Sequence, residues 1–186
     1  MASLVLSGNT SGSITISSPS VSGTNTLTLP ANTGTVITTA STFGGTGPAF
    51  SAYMSATQSI SNTTITKIVF NTENFDTNSN YDTSTYRFTP TVAGYYQFSA
   101  RIATPTSGTG ITYIYIGKNN DTGLGLNSAV GNNAGGLTVS TSGILYMNGS
   151  TDYVEAFTYQ STGGSATMGS TFSGYANFQG ALIRSA

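Results

Sequence analysis

Short runs in which apolar and hydroxyl side chains alternate, each closed by a cluster of Gly, Pro, Asn or Asp, recur along this whole chain. Neighbouring side chains on a strand point to opposite faces, so a period of two describes strands with one face buried. No stretch carries the helical period of about 3.6 residues. Thr and Ser number 33 and 26 of the 186 residues, and Ile, Val, Tyr and Phe supply most of the rest of the strand-forming material. The strong helix formers Glu, Lys, Gln, Arg and Met are scarce. The class expected is all-β. Hydrophobic residues make up 37% and aromatics 11%, enough for a packed core rather than a disordered chain, which pairs low hydrophobicity with high net charge.

The residues that are missing narrow the chemistry. There is no His, Cys or Trp, and only 5 basic and 6 acidic residues. Without His or Cys there is no Ser-His-Asp or Cys-His catalytic arrangement, no thiol or imidazole metal ligand and no disulfide framework. No pair of carboxylates is singled out as acid and nucleophile. The expectation is no catalytic residue, no cofactor and no enzyme activity. A formal charge of -1 with scattered basic residues gives no footprint for nucleic acid or an acidic membrane surface. No apolar run approaches the ~20 residues of a membrane span, and the N-terminus lacks a basic start and a long apolar stretch, so a non-secretory route is expected.

Three segments are expected. Residues 1–40 form an extended β-rich arm: Ser13-Ile14-Thr15-Ile16-Ser17 and Thr26-Leu27-Thr28-Leu29 alternate, Pro19 and Pro30 break, and residues 2–40 hold no aromatic. Strands with such small side chains cannot close a core alone, so they need a neighbour. Residues 41–48 are a Gly/Pro linker, and residues 49–186 a globular domain. Strand composition recurs at 49–54, 65–70, 85–90, 94–103, 111–117, 136–139, 143–147, 152–159 and 175–183, with loops expected at 71–83, 118–133 and 161–170. This spacing suits a sandwich or jelly roll. Phe88 and the pair Tyr96 and Phe98 face inward in their strands, with Tyr95 on the opposite face from Tyr96.

The order of motifs in residues 48–183 resembles the C1q domain of the C1q/tumour-necrosis-factor jelly-roll superfamily. Pro48-Ala49-Phe50-Ser51-Ala52-Tyr53 resembles its first strand, and Lys67-Ile68-Val69-Phe70-Asn71 the next core strand. Asn80-Tyr81-Asp82, Tyr86-Arg87-Phe88-Thr89-Pro90 and Gly94-Tyr95-Tyr96-Gln97-Phe98 resemble its most recognisable run, except that Tyr86 stands where the family commonly has Gly. Asp152-Tyr153-Val154-Glu155 and Phe178-Gln179-Gly180-Ala181-Leu182-Ile183 resemble late strands. Residues 119–136 are a longer, glycine-rich insertion. The resemblance implies an antiparallel jelly-roll sandwich and a homotrimer, for whose interface Ile111, Tyr113 and Tyr115 are the candidates, with ordinary core as the equal alternative. C1q-like trimers can bind calcium, and Asp76, Asn78, Asn80 and Asp82 place oxygens at alternate positions as calcium loops do. Tyr81 and Arg87 replace the Gly and Glu of an EF-hand, so a solvated Asn/Asp turn is the first reading and calcium the second.

The arm has a resemblance of its own. Leu6 to Ile16 and Pro19 to Val36 are similar to a segment common in tailed-bacteriophage virion proteins, often placed before fibre or C1q-like modules. The pairing implies a virion structural protein. The leading expectation is a trimeric capsid decoration (cement) protein on the capsid surface, partnered by the major capsid protein or another virion protein. Leu4, Leu6, Ile14, Ile16, Leu27 and Leu29 of the arm are the attachment residues. The alternative is a receptor-binding module of a tail fibre or tail tip, whose exposed loops 71–83 and 118–133, with Tyr81, bind host-surface glycans. A bacterial surface or spore-coat protein is the third reading.

Overall fold

The computed structural model describes residues 3–7, 10–17, 20, 23–24, 47–105, 109–132, 137–170 and 174–186, the side chains of residues 3, 4, 14 and 122–132 excepted. The chain divides into two compact units, Met1–Ser41 and Thr42–Ala186.

In the first unit β1 (Ser3–Ser7) pairs antiparallel with β2 (Ser13–Ser17). Gly12 enters β2 at φ 81°, a backbone region open to glycine because it lacks a Cβ. Leu27, Leu29 and the linker before Gly47 lie outside the described residues.

The second unit is an antiparallel sandwich. Its strands are β3 (Ala49–Tyr53), β4 (Gln58–Ile60), β5 (Thr66–Lys67), β6 (Thr72–Asp76), β7 (Tyr81–Asp82), β8 (Arg87–Phe88), β9 (Gly94–Ala103), β10 (Gly110–Lys118), β11 (Asp121–Asn132), β12 (Thr138–Met147), β13 (Val154–Gln160), β14 (Ala166–Met168) and β15 (Asn177–Ser185). One sheet has the order β12-β9-β15-β3-β6; the other has β11-β10-β13-β8-β7, with β5 also on β13. A small pair, β14-β4, forms its own two-stranded sheet, with Ile60 and Met168 packed into the common core. This is the jelly-roll architecture expected from the turn spacing.

Several boundaries differ from the sequence reading, each for a physical reason. The expected strands 136–139 and 143–147 are replaced by the single strand β12 over 138–147, because Ser140, Thr141 and Ser142 keep pairing with Arg101, Ala100 and Ser99 through a run that has no apolar signal. Residues 121–132, expected as loop, form β11 along β10 in register from Gly110↔Asn132 to Ile116↔Leu126. Residues 72–76 form the edge strand β6 on β3. The expected strands 65–70 and 85–90 shrink to the two-residue β5 and β8.

The core is built from rings. Phe50 stacks on Tyr81 at 4.9 Å and on Phe88 at 4.4 Å, and meets Phe178 edge-on at 4.9 Å. Such pairs add roughly 0.5–1.5 kcal/mol each beyond their buried area. Gly180 makes room for them: a Cβ there would lie 2.4 Å from the Phe98 ring and 3.0 Å from that of Phe50. Tyr86 adopts φ 59°, so the left-handed conformation persists where the family commonly has Gly, at a cost of roughly 1–2 kcal/mol.

Candidate functional site

The absence of His and Cys and the scarcity of charge direct attention to surfaces. The first is the outer face of the five-stranded sheet. Along β9, Tyr96, Phe98, Ala100 and Ile102 are buried, which turns Tyr95, Gln97, Ser99 and Arg101 outward. Register places Tyr146 opposite Tyr95 and Ile144 opposite Gln97 on β12, and Ala181 opposite Gln97 on β15. Tyr95, Ile144 and Tyr146 are 46%, 53% and 44% exposed. The Tyr95 and Tyr146 rings meet edge-on at 5.5 Å. Phe75 on β6 and Ile183 on β15 are also about half exposed. Sequence alternation sets Tyr95 opposite Tyr96, and the signal for Ile144 and Tyr146 is the same alternation, with Leu145 and Met147.

The outer face of the six-stranded sheet behaves differently. On β10, Thr112, Ile114 and Ile116 are buried and Ile111, Tyr113 and Tyr115 face out. Tyr113 and Tyr115 stack at 5.8 Å, and Tyr159, paired with Tyr113 across β13, meets it edge-on at 5.9 Å. Burial, with the neighbouring Tyr113 and Tyr159, pushes the Tyr115 hydroxyl pKa up. Only Ile111 of the three expected interface residues is well exposed, at 43%.

Farther along β13, Glu155 faces the same way yet is fully buried. Its Oε1 accepts from Lys67 Nζ and, at 2.7 Å, from Arg87 Nε, and Oε2 has no partner among the described residues. The hydrogen bond to Glu155 raises the Arg87 pKa, and the Arg87 guanidinium lies 4.2 Å over the Tyr153 ring. The clamp therefore ties β5 and β8 to β13. A second clamp joins Lys118 Nζ to Asp152 Oδ2 at 2.7 Å. Burial alone would raise the Asp152 pKa, but hydrogen bonds from Lys118, Asn119 and the Asn148 amide outweigh it and lower the value.

The candidate calcium residues are brought near one another in chain order but serve separate turns. Asp76 accepts from the amides of Asn78 at 3.3 Å and Tyr81 at 2.7 Å. Asn80 Oδ1 accepts from the Thr91 amide at 3.2 Å, and the Asn80 side-chain amide donates to the Asn78 carbonyl. Asp82 accepts from the Ser84 hydroxyl at 2.6 Å and amide at 2.8 Å and from the Thr85 hydroxyl at 2.8 Å, which lower its pKa to about 2. Both carboxylates are occupied by donors of their own loops, and among the described residues no group of three His, Cys, Asp or Glu side chains converges. Tyr81, expected to be exposed for glycan stacking, is instead core: its hydroxyl donates to the Phe70 carbonyl at 2.7 Å, and burial drives its pKa far above the ordinary phenol value.

In the N-terminal hairpin, Leu4 pairs with Ile16 and Leu6 with Ile14. Leu6 and Ile16 are each 51% exposed.

Comparison with known proteins agrees with this geometry. No curated protein sequence matches the chain. The fold is similar to the globular domain of the zebrafish complement 1qA protein, at 21% identity and a TM-score of 0.55 over 75% of this chain and 99% of that one. It is similar to murine APRIL at 7% identity and a TM-score of 0.57, covering 74% of this chain and 99% of that one. It is also similar to the PRD1 vertex protein P5 at 17% identity and a TM-score of 0.55, covering 76% and 100%. The C1q domain profile matches residues 49–176. With more than half of its length matched by that profile, and the sandwich built as the motifs require, the chain belongs to the C1q domain family.

Proposed function

We propose that this chain is a non-enzymatic virion structural protein, a trimeric capsid decoration protein held to the head by its N-terminal arm. The observation that carries the reading is the hairpin with exposed apolar side chains. A two-stranded sheet is marginal by itself, and β1 pairs with β2 while Val5, Leu6 and Ile16 stay about half exposed. Such a hairpin offers both exposed apolar side chains and strand edges unpaired among the described residues, the two means by which an extended segment adds to a neighbouring sheet. The resemblance of the arm to tailed-phage virion segments supports a virion protein as that neighbour. The likeness of the jelly roll to a protein named for a virion vertex is in keeping with it.

Trimerisation supplies the strength. Three arms on one particle turn a weak contact into a tight one, provided all three reach their sites together. The exposure pattern favours the Tyr95, Ile144 and Tyr146 face for the subunit contact over Ile111, Tyr113 and Tyr115, since Tyr113 and Tyr115 are half-buried by their own sheet. The tail-fibre alternative loses its stacking residue, because Tyr81 is in the core. Deleting residues 1–40 and measuring binding to capsids stripped of this protein tests the reading. Loss of binding with the jelly roll still folded is expected; undiminished binding overturns the anchoring role. Gold labelling over the head rather than the tail is the companion result.

A further inference from the structure

At one end of the sandwich a lysine of one sheet reaches the outer face of the other. On β10 Thr112, Ile114 and Ile116 are buried inward, and Lys118, opposite the buried Val154, continues that alternation where the core ends. Asn119 and Asn120 follow with φ of 53° and 64°, the left-handed pair of a tight hairpin turn, so the chain reverses at once and leaves Lys118 at the rim. Its Nζ donates to the Tyr146 carbonyl at 2.8 Å and lies 5.8 Å over the Tyr146 ring. Tyr146 stands on β12, the edge strand of the five-stranded sheet, in edge-on contact with Tyr95.

Asp152 fixes the lysine there. Its Oδ2 accepts from Lys118 Nζ at 2.7 Å and from the Asn148 amide at 3.0 Å, and its Oδ1 from the Asn119 side chain at 2.8 Å. The turn that carries Asp152 is itself well determined. Asn148 Oδ1 accepts from the amides of Ser150, Thr151 and Asp152, and Gly149, at φ 72°, packs so close that a Cβ would lie 2.3 Å from the Ala93 nitrogen. The other titratable groups around the pair are Asp121, opposite Lys118 in the hairpin register, Tyr146 itself, and Tyr153, which is covered by Arg87.

We propose that the Lys118–Asp152 pair is a latch that holds the Tyr146 side of the association face in the form a second copy recognises, so that breaking the pair, by acid or by substitution, separates the copies. The latch rests on the reading of that face as the contact between copies. Burial alone would raise the Asp152 pKa, but the donors from Lys118, Asn119 and Asn148 outweigh it and hold the value below 3.8. The latched form therefore favours the charged carboxylate. The latch is fully present above pH 3.8 and is lost as pH falls through the lowered value.

The test follows the full chain by light scattering from neutral pH downward, at two protein concentrations, with circular dichroism on the same samples. The parent is expected to hold three chains at neutral pH and to fall toward one chain below pH 3.8 before its β-sheet signal is lost. The fall is expected at higher pH in the more dilute sample, as dissociation requires. Asp152→Asn and Lys118→Met are expected to keep the β-sheet signal yet need at least about tenfold more protein for half-association at neutral pH. Lys118→Arg, which still donates to a carboxylate and a carbonyl together, and Asp82→Asn, in a separate turn, are expected to associate as the parent does. A parent that is a single chain at neutral pH overturns the contact between copies and the latch with it. A parent of three chains whose Asp152→Asn and Lys118→Met variants associate equally well, or that loses mass only together with its β-sheet signal, overturns the latch alone.

Discussion

The two sheets of the jelly roll bury their inner faces alike, and their outer faces follow opposite policies. On the six-stranded sheet the outward residues cover one another: Tyr113, Tyr115 and Tyr159 form a ring cluster, Phe157 is 7% exposed, and Glu155 is sealed beneath Lys67 and Arg87. On the five-stranded sheet Tyr95, Ile144, Tyr146 and Phe75 stay about half exposed, even though Lys118, paired with Asp152, reaches over the edge of the Tyr146 ring at 5.8 Å. The difference teaches where a second molecule is needed. A face that satisfies itself contributes to the stability of one chain, whereas an open apolar face among polar strands is the ordinary mark of an association surface.

The largest effect lies in the self-satisfied face. Replacing Lys67 and Arg87 together by Met leaves the Glu155 carboxylate buried without either cation, and removal of the partners of a buried charge costs about 3 kcal/mol or more. Urea unfolding is expected to show that loss. A change below about 1 kcal/mol would mean that the clamp is ornamental and that the contrast between the faces rests on the rings alone.

A smaller effect concerns acid. The Asp82 pKa is lowered from 3.8 to about 2 by the Ser84 and Thr85 donors. The folded state therefore holds the charged form more strongly, and the resulting stability is fully present above pH 3.8 and lost as pH falls through about 2. Asp152 shifts in the same direction. Thermal unfolding followed down this window is expected to show a falling midpoint, and Asp82→Asn to flatten part of the fall. An unchanged acid profile in Asp82→Asn would contradict the assignment.

The strands of both sheets were largely legible in residue order, the contrast between their outer faces was not, and the losses have identifiable causes. The alternation in 94–103 and 111–117 announces strands and their inward sides, because a half-buried strand needs a period of two. Edge strand β6 gives no such signal: Thr72-Glu73-Asn74-Phe75-Asp76 is largely exposed, and its pairing with β3 is set by backbone partners instead. Strand β11 is rich in small residues and is held in register by β10. Tyr81 sits in an Asn/Asp turn that reads as exposed, yet the Asp76 and Asn80 side chains fold that turn so that the ring enters the core. The Glu155 clamp joins residues 88 positions apart for Lys67 and 68 for Arg87, a separation no local pattern encodes.

The central claim is that the open face joins three copies of the chain. The most direct measurement is the mass in solution by light scattering for the full chain and for Tyr95→Ser/Tyr146→Ser, with Tyr113→Ser as the comparison. The account predicts three times the chain's 19.0 kDa for the parent and for Tyr113→Ser, and a fall toward a single chain for the double variant. A parent mass of 19.0 kDa at working concentration, or a double variant that keeps the parent mass while Tyr113→Ser loses it, would contradict the account.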